Sequence, residues 1–368
     1  MKPHVLMMRK PLQQGLFVLH GYDGRKGSES VRGWKSVLKA DPTSWLLEED
    51  NPSVRYYTLR DILDKPEDDL VVQEARQRII QHGIVPAILS KLQQPEYLRT
   101  YPEFYTSKYK GLVWQIILLA ELGADKTSVI RTQCEYIISY SQEKQHGGFS
   151  MHASAKTGGG RVSEVIPCLT GNMVWSLARF GYIDDPRLQR AVDWITRYMR
   201  FNDGVEHTPQ VAPYDRHEMC WGKHTCHMGV VKTLKALSVI PKDERTAAVK
   251  DVVREATEFM LVHHVYKRSH NLNRIAKPGW LRFSFPLMYQ TDALEVLDIL
   301  TGLGVRDSRM DDAINIVLSK QDESGRYKNE NGYTNERLLF PVENKDEQSK
   351  WLTLRAMRVL KRYYSDGQ

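Results

Sequence analysis

Residues 293–318, ALEVLDILTGLGVRDSRMDDAINIVL, contain the pattern on which the fold rests. The first part of this stretch is largely apolar, Gly304 supplies a turn, and the second part has apolar residues at helical spacing. These spaced residues are Met310, Ala313, Ile314, Val317 and Leu318. The stretch therefore predicts a helical hairpin whose first helix is buried on most sides and whose second helix is amphipathic.

The same plan occurs six times along the chain. The last large apolar residue of each first helix is Leu63, Leu122, Phe180, Leu237, Leu303 or Leu360. Successive members of this series are 57 to 66 residues apart, which indicates a repeat architecture. Strand-type alternation is nearly absent, so we predict an all-α fold of six helical hairpin repeats with inner and outer helix layers. Neither end has an obvious polar capping repeat, and this favours closure into a ring, an α/α toroid, over an open solenoid.

A second feature follows the predicted outer helices. Residues 321–327 read QDESGRY, residues 142–149 read QEKQHGGF, and residues 92–97 read LQQPEY. The first segment resembles the Gln-x-x-x-Gly-x-aromatic motif of squalene-cyclase and prenyltransferase repeats, and the other two resemble a stretched and a degraded copy. The resemblance covers residues 45–364 and implies the α/α toroid of the terpenoid cyclase and protein prenyltransferase superfamily.

The bulk composition, 41% hydrophobic and 26% charged, is typical of a globular protein. We predict a loosely ordered N-terminal extension over residues 1–40 and a single α/α toroid domain over residues 41–368. No apolar run is long enough to span a membrane, and the N-terminus lacks the apolar core of a signal peptide. Four cysteines in a chain of this length are not a disulfide scaffold, so we expect a protein of the reducing cytoplasm. The net charge of +7 suggests an anionic partner, but the basic residues are scattered and nucleic-acid binding is not expected.

Cysteine and histidine residues gather where the predicted inner helices begin. Cys168 and Cys226 lie at this point in the third and fourth repeats, and Asp292 lies there in the fifth. Residues 220–227, CWGKHTCH, add further thiol and imidazole groups. Because a helix N-terminus lowers the pKa of a thiol, such cysteines are ready metal ligands or nucleophiles.

These residues predict a tetrahedral site with three sulfur ligands and one nitrogen ligand, which suits Zn²⁺. The predicted ligands are Cys168, Cys220, His224 and Cys226. A redox or nucleophilic thiol site and simple core packing of small apolar side chains are the alternatives. The fourth cysteine, Cys134, lies on the apolar face of an outer helix and is expected to belong to the core.

The resemblance carries its own expectations. Protein prenyltransferase β-subunits hold a catalytic zinc with Asp, Cys and His at the rims of inner helices, which implies a similar placement here. The ligands do not match one for one, because the Asp-x-Cys pair of that family is missing. The Asp-x-Asp-Asp motif of triterpene cyclases and the Asp-Asp-x-x-Asp motif of diphosphate sites are also missing from the sequence. Cyclisation of squalene is therefore not expected.

A toroid has a central cavity that its inner helices must line. Aromatic residues near the predicted inner helices suit an apolar chain or a cation. The predicted lining residues are Tyr109, Trp114, Trp175, Trp221 and Trp351. Asp292 and Tyr289 are candidates for a catalytic role at the start of the fifth inner helix.

Three hypotheses about function remain open. The first is a zinc enzyme that acts on an isoprenoid or other apolar substrate in the central cavity. The second is a non-catalytic toroid whose structural zinc stabilises it and which binds a lipid or protein partner. The third is an α-solenoid scaffold for peptides. Three protein ligands with an open metal position would favour the first hypothesis, and four ligands would favour the second.

Overall fold

The computed structural model describes residues 33–204, 207–332 and 337–365 of the chain. The chain divides into two compact units, Met1–Arg32 and Gly33–Gln368, and every feature below belongs to the second unit. Most of the predicted extension, residues 1–40, lies outside the described residues.

Within the described residues the structure contains fifteen α-helices and three short antiparallel hairpins, so the prediction of an all-α protein is confirmed. The helices are α1 (Thr43–Leu46), α2 (Pro52–Tyr57), α3 (Leu70–Ile79), α4 (Ile84–Gln93), α5 (Glu96–Thr100), α6 (Leu112–Glu121), α7 (Ser128–Tyr140), α8 (Pro167–Leu177), α9 (Pro186–Tyr198), α10 (Glu218–Trp221), α11 (His227–Ser238), α12 (Ala247–Val262), α13 (Ala293–Gly302), α14 (Asp311–Ser319) and α15 (Lys350–Tyr364). The strands are β1 (Ala153–Ser154), β2 (Gly159–Gly160), β3 (Lys267–Arg268), β4 (Asn271–Ile275), β5 (Tyr327–Lys328) and β6 (Gln348–Ser349), paired in chain order.

The long helices fall into two classes by burial. In α6, α8, α11, α13 and α15 most residues are buried. In α7, α9, α12 and α14 the buried residues form a stripe, such as Leu188, Ala191, Val192 and Ile195 of α9. The two classes alternate along the chain from α6 to α14, and each buried helix packs against the amphipathic helix that follows it. This alternation corresponds to the repeat in the sequence.

The buried helices also pack against one another. Helix α6 contacts α8, α8 contacts α11, α11 contacts α13, and α13 contacts α15. Helix α15 in turn packs against α2 and against the π-helical turn Thr58–Ile62 that continues α2. The last helix of the described chain therefore lies beside one of the first.

Local sequence signals set the ends of these helices. The side chains of Thr127, Asp185 and Asp292 each accept a hydrogen bond from a backbone N–H group in the first turn of α7, α9 and α13. Gly123 and Gly304 follow α6 and α13 with φ of 74° and 80°. This left-handed conformation strains residues that have a Cβ atom, so glycine suits both positions.

The glutamines of the repeat motif bond to neighbouring segments of the chain. The amide of Gln142 donates to the carbonyl oxygens of Gly147 at 2.8 Å and Arg187 at 2.7 Å. The amide of Gln321 donates to the carbonyl of Val37 at 3.3 Å, and its oxygen accepts from the backbone of Lys39 at 3.0 Å. The motif therefore ties each turn to a different part of the fold, in addition to shaping the turn itself.

Helices α8 and α11 approach each other closely. A Cβ atom on Gly171 would lie 2.5 Å from the carbonyl oxygen of Lys232, so only glycine fits at this crossing. The close approach brings Cys168, near the start of α8, to the same end of the pair as Cys226, the N-cap of α11. None of the helices in the described part of the chain has the length and apolar character required to cross a bilayer.

Candidate functional site

Four separate segments of the chain bring one carboxylate and three imidazoles together. Asp203 lies in the loop after α9 and forms an isolated β-bridge with His224, which precedes α11. His263 is the C-cap residue of α12, and His270 lies in the turn between β3 and β4. We call this group the Asp203 cluster.

The distances in the Asp203 cluster are short. From Asp203 Oδ1, His224 Nδ1 is 3.2 Å away and His263 Nε2 is 3.4 Å away, while His270 Nε2 is 3.6 Å from Oδ2. Two ligand atoms of a tetrahedral metal with bonds of about 2 Å lie about 3.3 Å apart. The distances from Asp203 to His224 and His263 are thus close to those between two ligands of one metal ion. His270 Nε2 also donates to the backbone carbonyl oxygen of Asp203 at 2.7 Å, so in the neutral ring the lone pair that could bind a metal is on Nδ1.

Ligand atoms of Asp203, His224 and His270 all lie within 4.8 Å of one another. Among the residues that the structure describes, this is the only such group of three or more drawn from His, Cys, Asp and Glu. The His224 and His270 side chains are 51% and 63% exposed, so a metal ion could reach them from solvent.

Hydrogen bonds orient the imidazole of His263. Its Nδ1 donates to the carbonyl oxygen of Phe259 at 2.7 Å, because a carbonyl can only accept. In the neutral ring, Nε2 then presents a lone pair to the carboxylate of Asp203. Two acceptors that face each other repel, and a cation held between them would replace that repulsion with two bonds. A backbone partner of this kind is typical of a metal-bound histidine.

The pKa values of Asp203 and His263 are shifted in the directions that favour metal binding. Burial acts to raise the pKa of Asp203, but the Ser269 hydrogen bond and the nearby His263 outweigh it and hold the pKa below its ordinary value. Burial lowers the pKa of His263, and it lowers that of His227 to about 3. A charged carboxylate and neutral imidazoles are the forms that bind metal ions.

His227 belongs to the same region and has an unusual environment. Its ring lies 4.3 Å from that of His263 and 5.1 Å from that of Phe259, measured between centroids. Its Nε2 atom is buried and has no hydrogen-bond partner within the described part of the chain. The ring therefore packs behind the cluster as a neutral group.

The predicted cysteine ligands come close together in a different arrangement. Cys168 is buried, Cys220 and Cys226 are half-buried, and the backbone N–H of Cys226 donates to the carbonyl of Cys220 at 3.3 Å. Among the described residues, no three of the four predicted ligands have ligand atoms within 4.8 Å of one another, and His224 lies with Asp203 and His270. Cys134 is fully buried, as a core residue should be.

The expected lowering of the thiol pKa values does not hold for two of these cysteines. Burial raises the pKa of Cys168, and the neighbouring Cys220 and Cys226 add to the effect as like charges. Burial likewise raises the pKa of Cys220. Desolvation thus outweighs the helix N-terminus, and both groups are thiols at neutral pH.

The two catalytic candidates occupy different environments. Asp292 is buried and both of its carboxylate oxygens accept backbone hydrogen bonds, from Glu295 at 2.8 Å and Ser284 at 3.0 Å. Burial raises its pKa to about 6. These contacts give Asp292 a clear role as the N-cap of α13. Tyr289 is half-buried and stacks on Tyr109, with 6.3 Å between ring centroids.

The five predicted cavity residues separate into three groups. Trp175 and Trp351 line a cavity of about 760 Å³. Tyr109 and Trp114 are buried against each other, 5.2 Å apart, and against Tyr289. Trp221 is buried beside a second cavity of about 950 Å³, whose lining includes Gly204 and Lys223, the neighbours of Asp203 and His224.

The sequence offered few signals for the Asp203 cluster. His224 was a predicted ligand, but Asp203, His263 and His270 were not singled out. Their nearest signal is the placement of Asp203 and His263 directly after predicted outer helices, where loops return to the inner layer. No periodicity connects such loop residues, so spacing alone does not indicate that they meet.

No protein-family profile matches the chain, and a comparison with curated proteins finds no match.

Proposed function

We propose that this chain is a metal-dependent enzyme with an α/α toroid fold, and that Asp203, His224 and His270 hold its metal. The observation that carries the proposal is the 4.8 Å grouping of these ligand atoms from three separate segments. The toroid is supported by the packing of α15 against α2 and by the 760 Å³ cavity, which has lining residues from six helices or the turns that continue them.

The proposed metal is Zn²⁺. Two imidazoles and one carboxylate form a common ligand set of catalytic zinc, with water in the fourth position. In that position the metal lowers the pKa of the bound water and supplies a nucleophile at neutral pH. The same ligands also suit Fe²⁺, so elemental analysis decides between the two metals.

The position of His263 bears on whether the metal is catalytic or structural. As a fourth ligand it would close the coordination shell, which is typical of a structural zinc site. The exposure of His224 and His270 favours an open position instead, and with it a catalytic role. An isoprenoid or other apolar substrate remains a prediction from the sequence.

Cobalt substitution tests the ligand set directly. Metal-free protein is titrated with Co²⁺, and the visible and near-ultraviolet spectra are recorded. We expect one Co²⁺ per chain, visible bands of a four- or five-coordinate ion, and no thiolate-to-cobalt charge-transfer band. Asp203→Ala and His270→Ala should each weaken Co²⁺ binding by 10-fold or more, on the order of the effect of removing one interaction with a metal ligand.

Two controls make the experiment specific. His82→Ala removes an exposed histidine far along the chain, and Cys134→Ala removes a buried thiol; neither should change the metal content. A strong thiolate-to-cobalt charge-transfer band would indicate that the predicted cysteines bind the metal instead. Protein that takes up neither Zn²⁺ nor Fe²⁺ nor Co²⁺ under reducing conditions would refute the proposal.

A further inference from the structure

The 760 Å³ cavity is lined by residues of the buried helices, and no residue of the Asp203 cluster is among them. Its lining is unusually rich in charge, with six basic and six acidic residues. Such a lining is a poor match for an apolar ligand, because charged groups lose hydration without gaining a partner.

The acidic groups deep in the cavity already have partners. Glu295 lies between Lys232 and Lys235, with Nζ to carboxylate distances of 2.7 Å and 3.2 Å. Glu121 pairs with Lys235 and Arg355. Two others are also paired: Asp61 with Arg60 and Arg358, and Asp298 with Arg355 and Arg362. The remaining two, Asp184 and Glu244, are exposed to solvent.

The basic groups keep donors to spare. Arg355 is 6% exposed, and its Nη1 atom is buried without a hydrogen-bond partner in the described structure. Arg179 donates to the hydroxyl of Tyr57 at 2.7 Å and pairs with no carboxylate of the described residues. Since a guanidinium carries five N–H donors and no acceptor, these side chains can donate further hydrogen bonds to a ligand with several acceptor oxygens.

Aromatic rings form the other part of the lining. Tyr57 and Trp351 meet edge to face at 6.0 Å, and Lys235 Nζ lies 4.1 Å from the centroid of the Trp175 ring. A ligand in the cavity would therefore have apolar surface available beside the charged groups.

We infer that the cavity binds a small molecule with phosphate or carboxylate groups, whose oxygens accept hydrogen bonds from Arg179, Arg355 and Arg362. Arginine suits this task because its planar fork matches the geometry of both oxyanions. Arg355 and Arg362 also pair with Asp298, and structural ion pairs of this kind are the alternative role for these arginines. A purely structural role would leave the cavity without affinity for anions.

Isothermal titration calorimetry separates these roles. The probes are inorganic phosphate and succinate, each compared with NaCl at equal ionic strength, on the full chain with its metal. We expect saturable binding of at least one probe. Arg179→Gln and Arg362→Gln should weaken it about tenfold or more, as expected for loss of a hydrogen bond between charged groups. Arg254→Gln, which alters an exposed arginine on α12, should leave binding unchanged.

The outcomes are distinct. Binding of phosphate alone identifies a phosphorylated ligand, and binding of succinate alone identifies a carboxylic acid. Binding should persist in Asp203→Ala, which separates this cavity from the proposed metal site. Failure of both probes to bind beyond the effect of NaCl, or equal affinity in Arg179→Gln, Arg362→Gln and Arg254→Gln, would overturn the inference. Neither result would alter the metal content, so the proposed function is tested separately.

Discussion

Replacing Glu295 with Gln tests whether the buried ion pairs hold the helices together. Glu295 is 2% exposed, and its carboxylate accepts hydrogen bonds from Lys232 Nζ at 2.7 Å and 2.8 Å. Lys235, which lies on α11 like Lys232, has its Nζ atom 3.2 Å from the Glu295 carboxylate. Glu295→Gln keeps the size of the side chain but leaves Lys232, which is fully buried, without an opposite charge at contact distance.

Two estimates give the loss of stability expected for Glu295→Gln. Breaking a buried ion pair by neutralising one partner costs about 3 to 5 kcal/mol. Independently, neighbouring Lys232 and Lys235 overcome the effect of burial and lower the pKa of Glu295 from 4.5 to about 2. At about 1.4 kcal/mol for each pKa unit, this difference corresponds to about 3 to 4 kcal/mol. We therefore expect the free energy of unfolding at pH 7 to fall by about 3 kcal/mol.

The pH dependence has a definite sign. A carboxyl group whose pKa is lower in the folded state stabilises the protein fully above its unfolded pKa, here about 4.5. The contribution is lost as the pH falls from about 4.5 towards 2. The stability difference between wild-type and Glu295→Gln protein should thus be constant above pH 5 and shrink below pH 4.5.

Urea denaturation followed by circular dichroism measures both effects. Glu258→Gln is the matched control, since it breaks an exposed pair with Arg309 and should cost less than about 1 kcal/mol. Lys232→Met should cost less in the Glu295→Gln background than in the wild type, because the pair is already broken. If Glu295→Gln destabilises the protein no more than Glu258→Gln does, the buried ion pairs of Glu295 do not hold the helices together.

Gly171→Ala should destabilise the protein by at least about 1 to 3 kcal/mol in urea denaturation, because the added Cβ would lie 2.5 Å from a backbone atom of α11. Gly279→Ala is the control, since open space surrounds Gly279, and equal effects of the two substitutions would contradict the packing of α8 on α11. Because the pKa of Asp292 is raised to about 6 in the folded protein, the free energy of unfolding should fall as the pH rises from about 4 to 6. Asp292→Asn should flatten this part of the pH profile, and an unchanged slope in the variant would contradict the raised pKa. Removal of the metal with a chelator should lower the melting temperature by no more than a degree or two, because the proposed ligands lie on loops at the surface. A fall of many degrees would support the alternative of a structural zinc.

The sequence alone determined the helices and the order in which they recur. Apolar residues at helical spacing mark α9 and α14, and short-range signals such as the Asp292 cap and Gly304 set where helices begin and end. These features could be predicted because each depends on residues within a few positions of one another. The prediction of an all-α protein rested on them.

Which polar side chains meet depends on how distant parts of the chain pack together. His270 donates to the carbonyl of Asp203 across 67 residues of sequence, and Lys232 reaches Glu295 across 63. His224 was expected to join the cysteines, but it lies with Asp203 and His270, and burial raises the pKa of Cys168 where a helix N-terminus was expected to lower it. Such contacts depend on how the helices pack and how their loops return, and desolvation depends on everything that surrounds a group. Local spacing carries no information about either.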